Sequence, residues 1–333
     1  MFIPTELLEI KNLLIPENKI VILTHYNPDG DAIGSSLGLK HYLAAKGISA
    51  EVVVPNDFPK FLKWMPEAKK NIVAEYKRKV AADLVFEADV IFCLDFNSPS
   101  RIGILGDWLT KATAKKILID HHQQPENFDF VYSDTVIPAT CQMIYHFIEA
   151  MGDENLVNKD VADCLYTGIM TDTGGFRFRS TSATTHRIVA NLIEKGADPA
   201  LITSNTWDTN TITRLQLLAL ILGRIEVVNE TVAVLYLTRN ELKEYGFQKG
   251  DTEGFVNYGL SILGVKMAAF FMEDLYEDFI KISFRSKDAI DVNQFSRKYF
   301  SGGGHINAAG GKSNDNLQET IEVFKKRVVE EEF

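Results

Sequence analysis

Three short apolar runs, each leading into an acid, constrain this chain more than any other feature. Residues 19–24 (KIVILT), 88–94 (ADVIFCL) and 116–119 (KILI) are rich in β-branched side chains and bounded by polar ones. Runs of this length with no polar alternation form strands covered on both faces, the property of parallel sheets. The first leads into His25, Asp29 and Asp31, the second into Asp95, and the third into Asp120, His121 and His122. In open α/β sheets the carboxyl edge of the strands is where ligands sit. Carboxylates and imidazoles gathered there are costly to bury without a partner, and a metal ion is one such partner.

The segments between the runs fit the same plan. Pro28 and Gly30 break regular structure, and residues 32–45 resume as a helix of small and apolar residues. His25, Asp29 and Asp31 therefore lie on a strand-to-helix loop, the usual home of α/β active sites. A single acid in such a loop is an ordinary helix cap, a role that Asp31 fits. An imidazole with two acids either side of one glycine suits a pair of ions better. Residues 5–14 read as a helix and 49–54 as another strand, and the aromatic-rich stretch 58–65 reads as core. In the loop 96–101, Asn97, Ser98 and Ser100 can cap a helix, and Arg101 faces either a phosphate or a surface ion pair. Residues 165–170 are again apolar and precede Asp172 and a glycine turn, giving a fourth run that ends on an acid. Strand, acidic loop and helix in repetition predict an α/β fold with a mostly parallel, doubly wound sheet.

A length of 333 residues predicts two domains, and a hydrophobic fraction of 46% can fill both cores. No apolar run reaches the roughly 20 residues that cross a bilayer. The first eleven residues lack the layout of a signal peptide, and three cysteines at unrelated spacings match no zinc or disulfide pattern. The expectation is a reduced, cytoplasmic protein. A net charge of −10 argues against long duplex nucleic acid. Short phosphorylated substrates remain open, because bound cations reverse the local field. The acidic residues 330–332 read as a solvated helix end.

In the second half, 182–195 reads as a helix stopped by Gly196, 199–223 as helical, and 227–237 as a hairpin turning at Asn229 and Glu230. Residues 279–284 alternate as a strand that carries Arg285 at its end, and 292–300 form a short helix leading to Gly302, Gly303, Gly304 and His305. Consecutive glycines let the backbone approach a ligand and turn N–H groups toward phosphate oxygens. The small Ala308 and Ala309 that follow argue for packed structure over a flexible linker.

The motifs HYNPDGDA, LDFN, IDHH and MTDTGG, followed by GGGHINAAG, together resemble the DHH phosphoesterase superfamily with its associated C-terminal domain. The resemblance implies a DHH catalytic domain at 1–190, a helical linker at 191–226 and a smaller α/β substrate-binding domain at 227–333. It implies that His25, Asp29 and Asp95 hold one divalent ion and that Asp31, Asp95, His121 and Asp172 hold another, with Asp95 bridging. Two ions about 3.5–4 Å apart suit in-line displacement at phosphorus by an activated water. Mixed carboxylate and imidazole ligands favour Mn²⁺, with Mg²⁺ or Co²⁺ as substitutes. On this pattern Asp120 orients an imidazole and His122 faces the substrate phosphate, so His122, Asp120 and Asp95 carry the chemistry. Arg285, Gly302, Gly303, Gly304 and His305 would grip a phosphate or base.

Among two-domain relatives the chain is similar to the nanoRNase and 3′-phosphoadenosine 5′-phosphate (pAp) phosphatase group (NrnA type). That similarity implies hydrolysis of short oligoribonucleotides to nucleoside monophosphates and of pAp to AMP. A phosphodiesterase for cyclic di-AMP or pApA would use the same motifs. A non-catalytic nucleotide sensor predicts loss of a metal ligand, and none is missing. The expected partners are short oligoribonucleotides or small nucleotides, with no long duplex and no membrane; a homodimer is compatible with the chain.

Overall fold

The three apolar runs pair side by side as parallel strands. The structure, a computed structural model, describes residues 3–331; Glu332 of the acidic run lies outside them. The chain divides into two compact units, Met1–Thr209 and Asn210–Phe333. Among the described residues no helix is long and apolar enough to cross a membrane.

The first unit carries strands β1 (Ile20–Leu23), β2 (Ala50–Val54), β3 (Ile72–Val73), β4 (Val90–Leu94), β5 (Lys115–Asp120) and β6 (Phe130–Ser133), in the spatial order β3-β2-β1-β4-β5-β6. Every pairing is parallel. Strand order reverses direction between β1 and β4, which opens a crevice at their carboxyl ends. Its helices are α1 (Pro4–Leu13), α2 (Gly30–Ala45), α3 (Arg78–Glu87), α4 (Ile104–Lys111), α5 (Thr140–Met151), α6 (Lys159–Asp172), α7 (Ala183–Glu194) and α8 (Pro199–Thr206). Side chains alternate along each strand. Ile20 and Ile22 of β1 join a core with α2, α5 and α6, while Val21 and Leu23 join a second core with α3 and α4. Burial on both faces explains why these runs lack polar alternation.

One expected strand is a helix. Residues 165–170 belong to α6, which starts at the Asn158 cap, whose side chain accepts from the Val161 N–H, and runs to Asp172. A buried helix segment and a buried strand are equally apolar, and a six-residue window does not separate them. Helix α6 lies against α2 at close range. A Cβ added at Gly34 would come within 2.6 Å of the Cys164 carbonyl oxygen, so only glycine permits this approach.

The second unit contains α9 (Ile212–Leu222), β7 (Glu226–Val228), β8 (Val232–Leu237), α10 (Arg239–Glu244), α11 (Val256–Leu260), β9 (Met267–Glu273), β10 (Ile280–Ser286), α12 (Val292–Tyr299), β11 (Gly303–His305), β12 (Ala308–Ser313) and α13 (Leu317–Glu330). The helical stretch 199–223 is thus two helices, α8 and α9. The sheet runs β11-β12-β10-β9-β8-β7, antiparallel except for the parallel β8–β9 pair. Val228 pairs with Val232 across a three-residue connection, in which Asn229 and Glu230 take φ values of +48° and +61° and the Thr231 N–H closes on the Val228 carbonyl. One face packs on α12 and α13 through Phe284, Phe295, Phe300 and Phe324; the other packs on α9 and α11. Arg224 grips Glu241 through both Nη atoms at the edge of this unit.

Candidate metal centre

Each polar tip foreseen at a strand end of the first unit reaches a common site, but by different local devices. Asp29, not Asp31, is the N-cap of α2: its Oδ1 accepts the N–H groups of Asp31 at 3.0 Å and Ala32 at 3.1 Å. Asp31 follows two residues later, in the first turn of α2, and is 1% exposed. Its two carboxylate oxygens accept the N–H groups of Thr140 (2.6 Å) and Cys141 (2.8 Å) at the start of α5. Helix α5 has no side-chain cap of its own, so a carboxylate from α2 satisfies those orphan donors and meets the positive end of the helix. Asp95 follows β4 with φ +65°, a conformation that a non-glycine residue holds only when its surroundings enforce it. Thr140 Oγ1 donates to Asp95 Oδ1 at 3.0 Å. Asp172 is the last residue of α6 and Asp120 the last of β5.

The side chains expected to hold the ions meet in two overlapping groups, and Asp95, Asp120 and His122 make a further one beside them. His25, Asp29 and Asp95 form one, and Asp31, Asp95 and His121 form the other, with the ligand atoms of each group within 4.8 Å of one another. His25 Nε2 lies 3.7 Å from Asp29 Oδ2 and 3.4 Å from Asp95 Oδ2. His121 Nε2 lies 3.7 Å from Asp31 Oδ2, 3.4 Å from Asp95 Oδ1 and 3.5 Å from Asp172 Oδ2. Asp95 therefore presents one oxygen to each imidazole.

The ring orientations are fixed from behind. His25 Nδ1 donates to the Tyr26 carbonyl at 2.9 Å and His121 Nδ1 to the Ile137 carbonyl at 3.1 Å. That tautomer leaves each Nε2 as a bare lone pair turned toward carboxylate oxygens. Separations of 3.4–3.7 Å make poor hydrogen bonds. They suit two atoms touching one cation at about 2 Å each. With both imidazoles neutral, Asp29, Asp31, Asp95 and Asp172 leave four negative charges, which two divalent cations cancel. The donor set fits such a pair.

Without cations, protons take their place. Burial opposes charge on His25, but hydrogen bonding and attraction to Asp29 and Asp95 prevail and push its pKa up to about 10. His121 is raised well above the usual imidazole value, its burial outweighed by Asp95, Asp172 and Asp31. Burial and repulsion from Asp95 and Asp172 push Asp31 well up, whereas the imidazoles hold Asp95 well below the ordinary carboxylate range against the effect of its burial. His122 behaves differently. Its Nδ1 sits 2.7 Å from Asp120 Oδ1, yet burial prevails and lowers its pKa, so the ring is neutral at pH 7. Asp120 Oδ2 is buried with no hydrogen-bond partner among the described residues.

In the second unit, Arg285 of β10 stands opposite Ala308 of β12, and Ala308 opposite His305 of β11. Residues directly opposite in antiparallel strands share a face, so Arg285 and His305 flank a small alanine with about 10 Å between their backbones. The triple glycine is strand and hairpin rather than an open loop. The Gly302 N–H donates to the Ser296 carbonyl and the Gly304 N–H to Asn293 Oδ1. At these two positions the expectation of N–H groups turned to phosphate is not met. The glycines serve close packing: a Cβ at Gly302 would sit 1.9 Å from the Gly310 oxygen and one at Gly304 2.4 Å from that of Ala308. Sequence reasoning also missed Thr140, which touches Asp95, and the N–H donors to Asp31, because nothing in residues 139–141 marks a helix start.

The sequence matches the DHH family, N-terminal domain, over residues 19–169, and the DHHA1 domain over residues 229–330. The chain is 32% identical to the bifunctional oligoribonuclease and PAP phosphatase NrnA of Thermus thermophilus over 300 residues, covering 88% of this chain and 84% of that protein. It is 27% identical to the cyclic-di-AMP phosphodiesterase PdeA of Listeria monocytogenes, covering 92% of this chain but 46% of that protein. The crystal structure of an exopolyphosphatase-related protein from Bacteroides fragilis superposes with a TM-score of 0.94 at 38% identity, covering 98% of this chain and 96% of that one. The chain belongs to the DHH family, with a DHHA1 domain following its DHH domain.

Proposed function

We propose that the chain is a phosphoesterase that hydrolyses short oligoribonucleotides to nucleoside monophosphates and pAp to AMP, with two divalent ions, Mn²⁺ preferred. The observation that carries this reading is Asp95 offering one oxygen to each of two imidazole-carboxylate groups. His25, Asp29 and Asp95 would hold one ion; Asp31, Asp95, His121 and Asp172 would hold the other. Ions bound there would supply Lewis acidity at the phosphoryl oxygens and lower the pKa of water so that hydroxide is available near neutral pH. The Thr140 hydroxyl and the N–H groups of Thr140 and Cys141 keep Asp95 and Asp31 from turning away. His122, fixed by Asp120 through Nδ1, keeps Nε2 for proton traffic. An incoming phosphate raises the proton affinity of this neutral ring, so His122 takes a proton from solvent on Nε2 and passes it to the leaving oxygen. Arg285 and His305 on one sheet face would bind a terminal phosphate or base. Similarity along 84% of an oligoribonuclease and PAP phosphatase, against 46% of a cyclic-di-AMP phosphodiesterase, supports this substrate choice.

The test is a Mn²⁺-supported assay of purified protein on a diribonucleotide, pAp and cyclic di-AMP side by side. The reading expects turnover of the first two well above the third. Faster turnover of cyclic di-AMP would transfer the assignment to that substrate, and no turnover of any would end it.

A further inference from the structure

Next to the metal centre is a cavity of about 310 Å³, lined by Tyr26, Pro55, Ala74, Glu75, Arg78 and Ile104. It lies at the carboxyl ends of β1, β2 and β3, bounded by Arg78 at the start of α3 and Ile104 at the start of α4. Tyr26 is the chain neighbour of His25, and its backbone carbonyl accepts the His25 Nδ1–H, which places residue 26 beside the metal centre. The Tyr26 N–H donates to the Arg101 carbonyl at 2.8 Å. Its ring edge lies 3.4 Å from where a Gly103 Cβ would be, and its hydroxyl lies 3.3 Å from Glu75 Oε1. The ring is held at several points yet remains 47% exposed.

The lining carries one cation, Arg78, and one acid, Glu75, whose carboxylate faces the Tyr26 hydroxyl. The Arg78 guanidinium stands 5.9 Å from the centre of the Trp108 ring, and it belongs to the exposed run Lys77, Arg78 and Lys79. None of these three has a carboxylate partner among the described residues. In a chain of net charge −10, these three adjacent exposed bases form a local positive patch that attracts anions. An exposed aromatic face together with basic groups is the composition that binds single-stranded nucleic acid without sequence preference. The volume falls at the lower end of the range for small-molecule sites.

We propose that this cavity is a second nucleotide subsite: the base stacks on Tyr26 and the phosphate beyond it meets Arg78. It rests on the reading of the protein as an enzyme of short oligoribonucleotides, and it adds where the chain beyond the cut runs. An oligonucleotide of two or more residues fills it, whereas pAp, with one base, leaves it empty. Tyr26 and Arg78 then set preference for chain length.

The experiment compares kcat/KM for a triribonucleotide with that for pAp in wild type, Tyr26→Ala, Tyr26→Phe and Arg78→Ala. It adds equilibrium binding of a non-hydrolysable triribonucleotide carrying 2-aminopurine, read by quenching of the base. The ratio of trinucleotide to pAp activity should fall about tenfold in Tyr26→Ala, the loss of one base–aromatic stack, and should be kept in Tyr26→Phe. Trinucleotide affinity should fall in parallel, with Arg78→Ala also flattening its salt dependence. An unchanged ratio and affinity in Tyr26→Ala, or an equal loss in Tyr26→Phe, overturns the subsite. If wild type cleaves neither substrate, the enzyme reading fails, and the quenching titration still decides whether the cavity binds a base.

Discussion

Gly168→Ala is the sharpest probe of how the first unit places its acids. Gly168 lies on α6 where α2 and α5 converge. A Cβ there would come 2.1 Å from Cys141 Sγ, 2.9 Å from Asp31 Oδ1 and 3.1 Å from Asp31 Cα. Non-bonded heavy atoms prefer roughly 3.5–4.0 Å, so the thiol must retreat by about 1.5 Å inside a fully buried core. Overpacking of this kind costs about 1–3 kcal/mol. Replacing a helical glycine by alanine returns about 1 kcal/mol. The net expectation is a loss of up to about 2 kcal/mol. Cys141→Ala removes the nearest obstacle, so the double variant should be more stable than the sum of the singles by about 1 kcal/mol. Urea unfolding of metal-free protein, followed by tryptophan fluorescence, isolates the effect. All three tryptophans (Trp64, Trp108 and Trp207) belong to the first unit. A more stable Gly168→Ala protein, or strict additivity with Cys141→Ala, would refute the close approach of α2, α5 and α6.

Asp120→Asn should leave metal content intact while lowering kcat about 100-fold or more, because the Nδ1 partner of His122 is altered and no metal-facing group is; loss of bound metal with activity would instead make Asp120 a ligand. Glu241 is held at about 2, chiefly by its hydrogen bond to Arg224. Its depressed value means that its stabilisation is present above the ordinary carboxylate pKa and fades as pH falls toward 2. Glu241→Gln should therefore destabilise the second unit by about 1–2 kcal/mol at pH 7 and by less at pH 3, measured by far-UV circular dichroism in urea; an equal deficit at both pH values would contradict this. For His25 the sign is opposite. Its value, raised to about 10, stabilises chelated protein below the ordinary imidazole pKa, and this is lost as pH rises through 10. The tryptophan-detected urea midpoint in EDTA should fall between pH 7 and pH 10 in wild type and change less in His25→Asn; a rising midpoint would rule it out.

The sheet was legible because its strands are buried on both faces, which removes polar alternation and leaves continuous β-branched runs. The two-residue β3 carries too little pattern to be seen. Asp172 was correctly tied to the other acids, yet on a helix rather than a strand, since a fully buried helix segment is as apolar as a strand. Asp29 takes the capping role expected of Asp31, because the carboxylate of Asp31 is drawn to the start of α5, more than a hundred residues later in the chain. Such long-range pairings leave no local mark. The triple glycine was recognised as special for a different reason from the one found: helix α12 takes two of its N–H groups, and the missing Cβ atoms allow close packing on β12. Tyr26 and Arg78 were invisible as a pair because their proximity is created only when β1, β2 and β3 align.

The central claim is that side chains from four separate segments hold two cations through a shared Asp95. The most direct measurement is manganese titration monitored by electron paramagnetic resonance, with bound metal counted per chain. Two tightly bound ions with a spin-coupled spectrum are expected, and Asp95→Asn should abolish the coupling. A single ion, or two ions with independent spectra that Asp95→Asn leaves unaltered, would contradict the shared carboxylate.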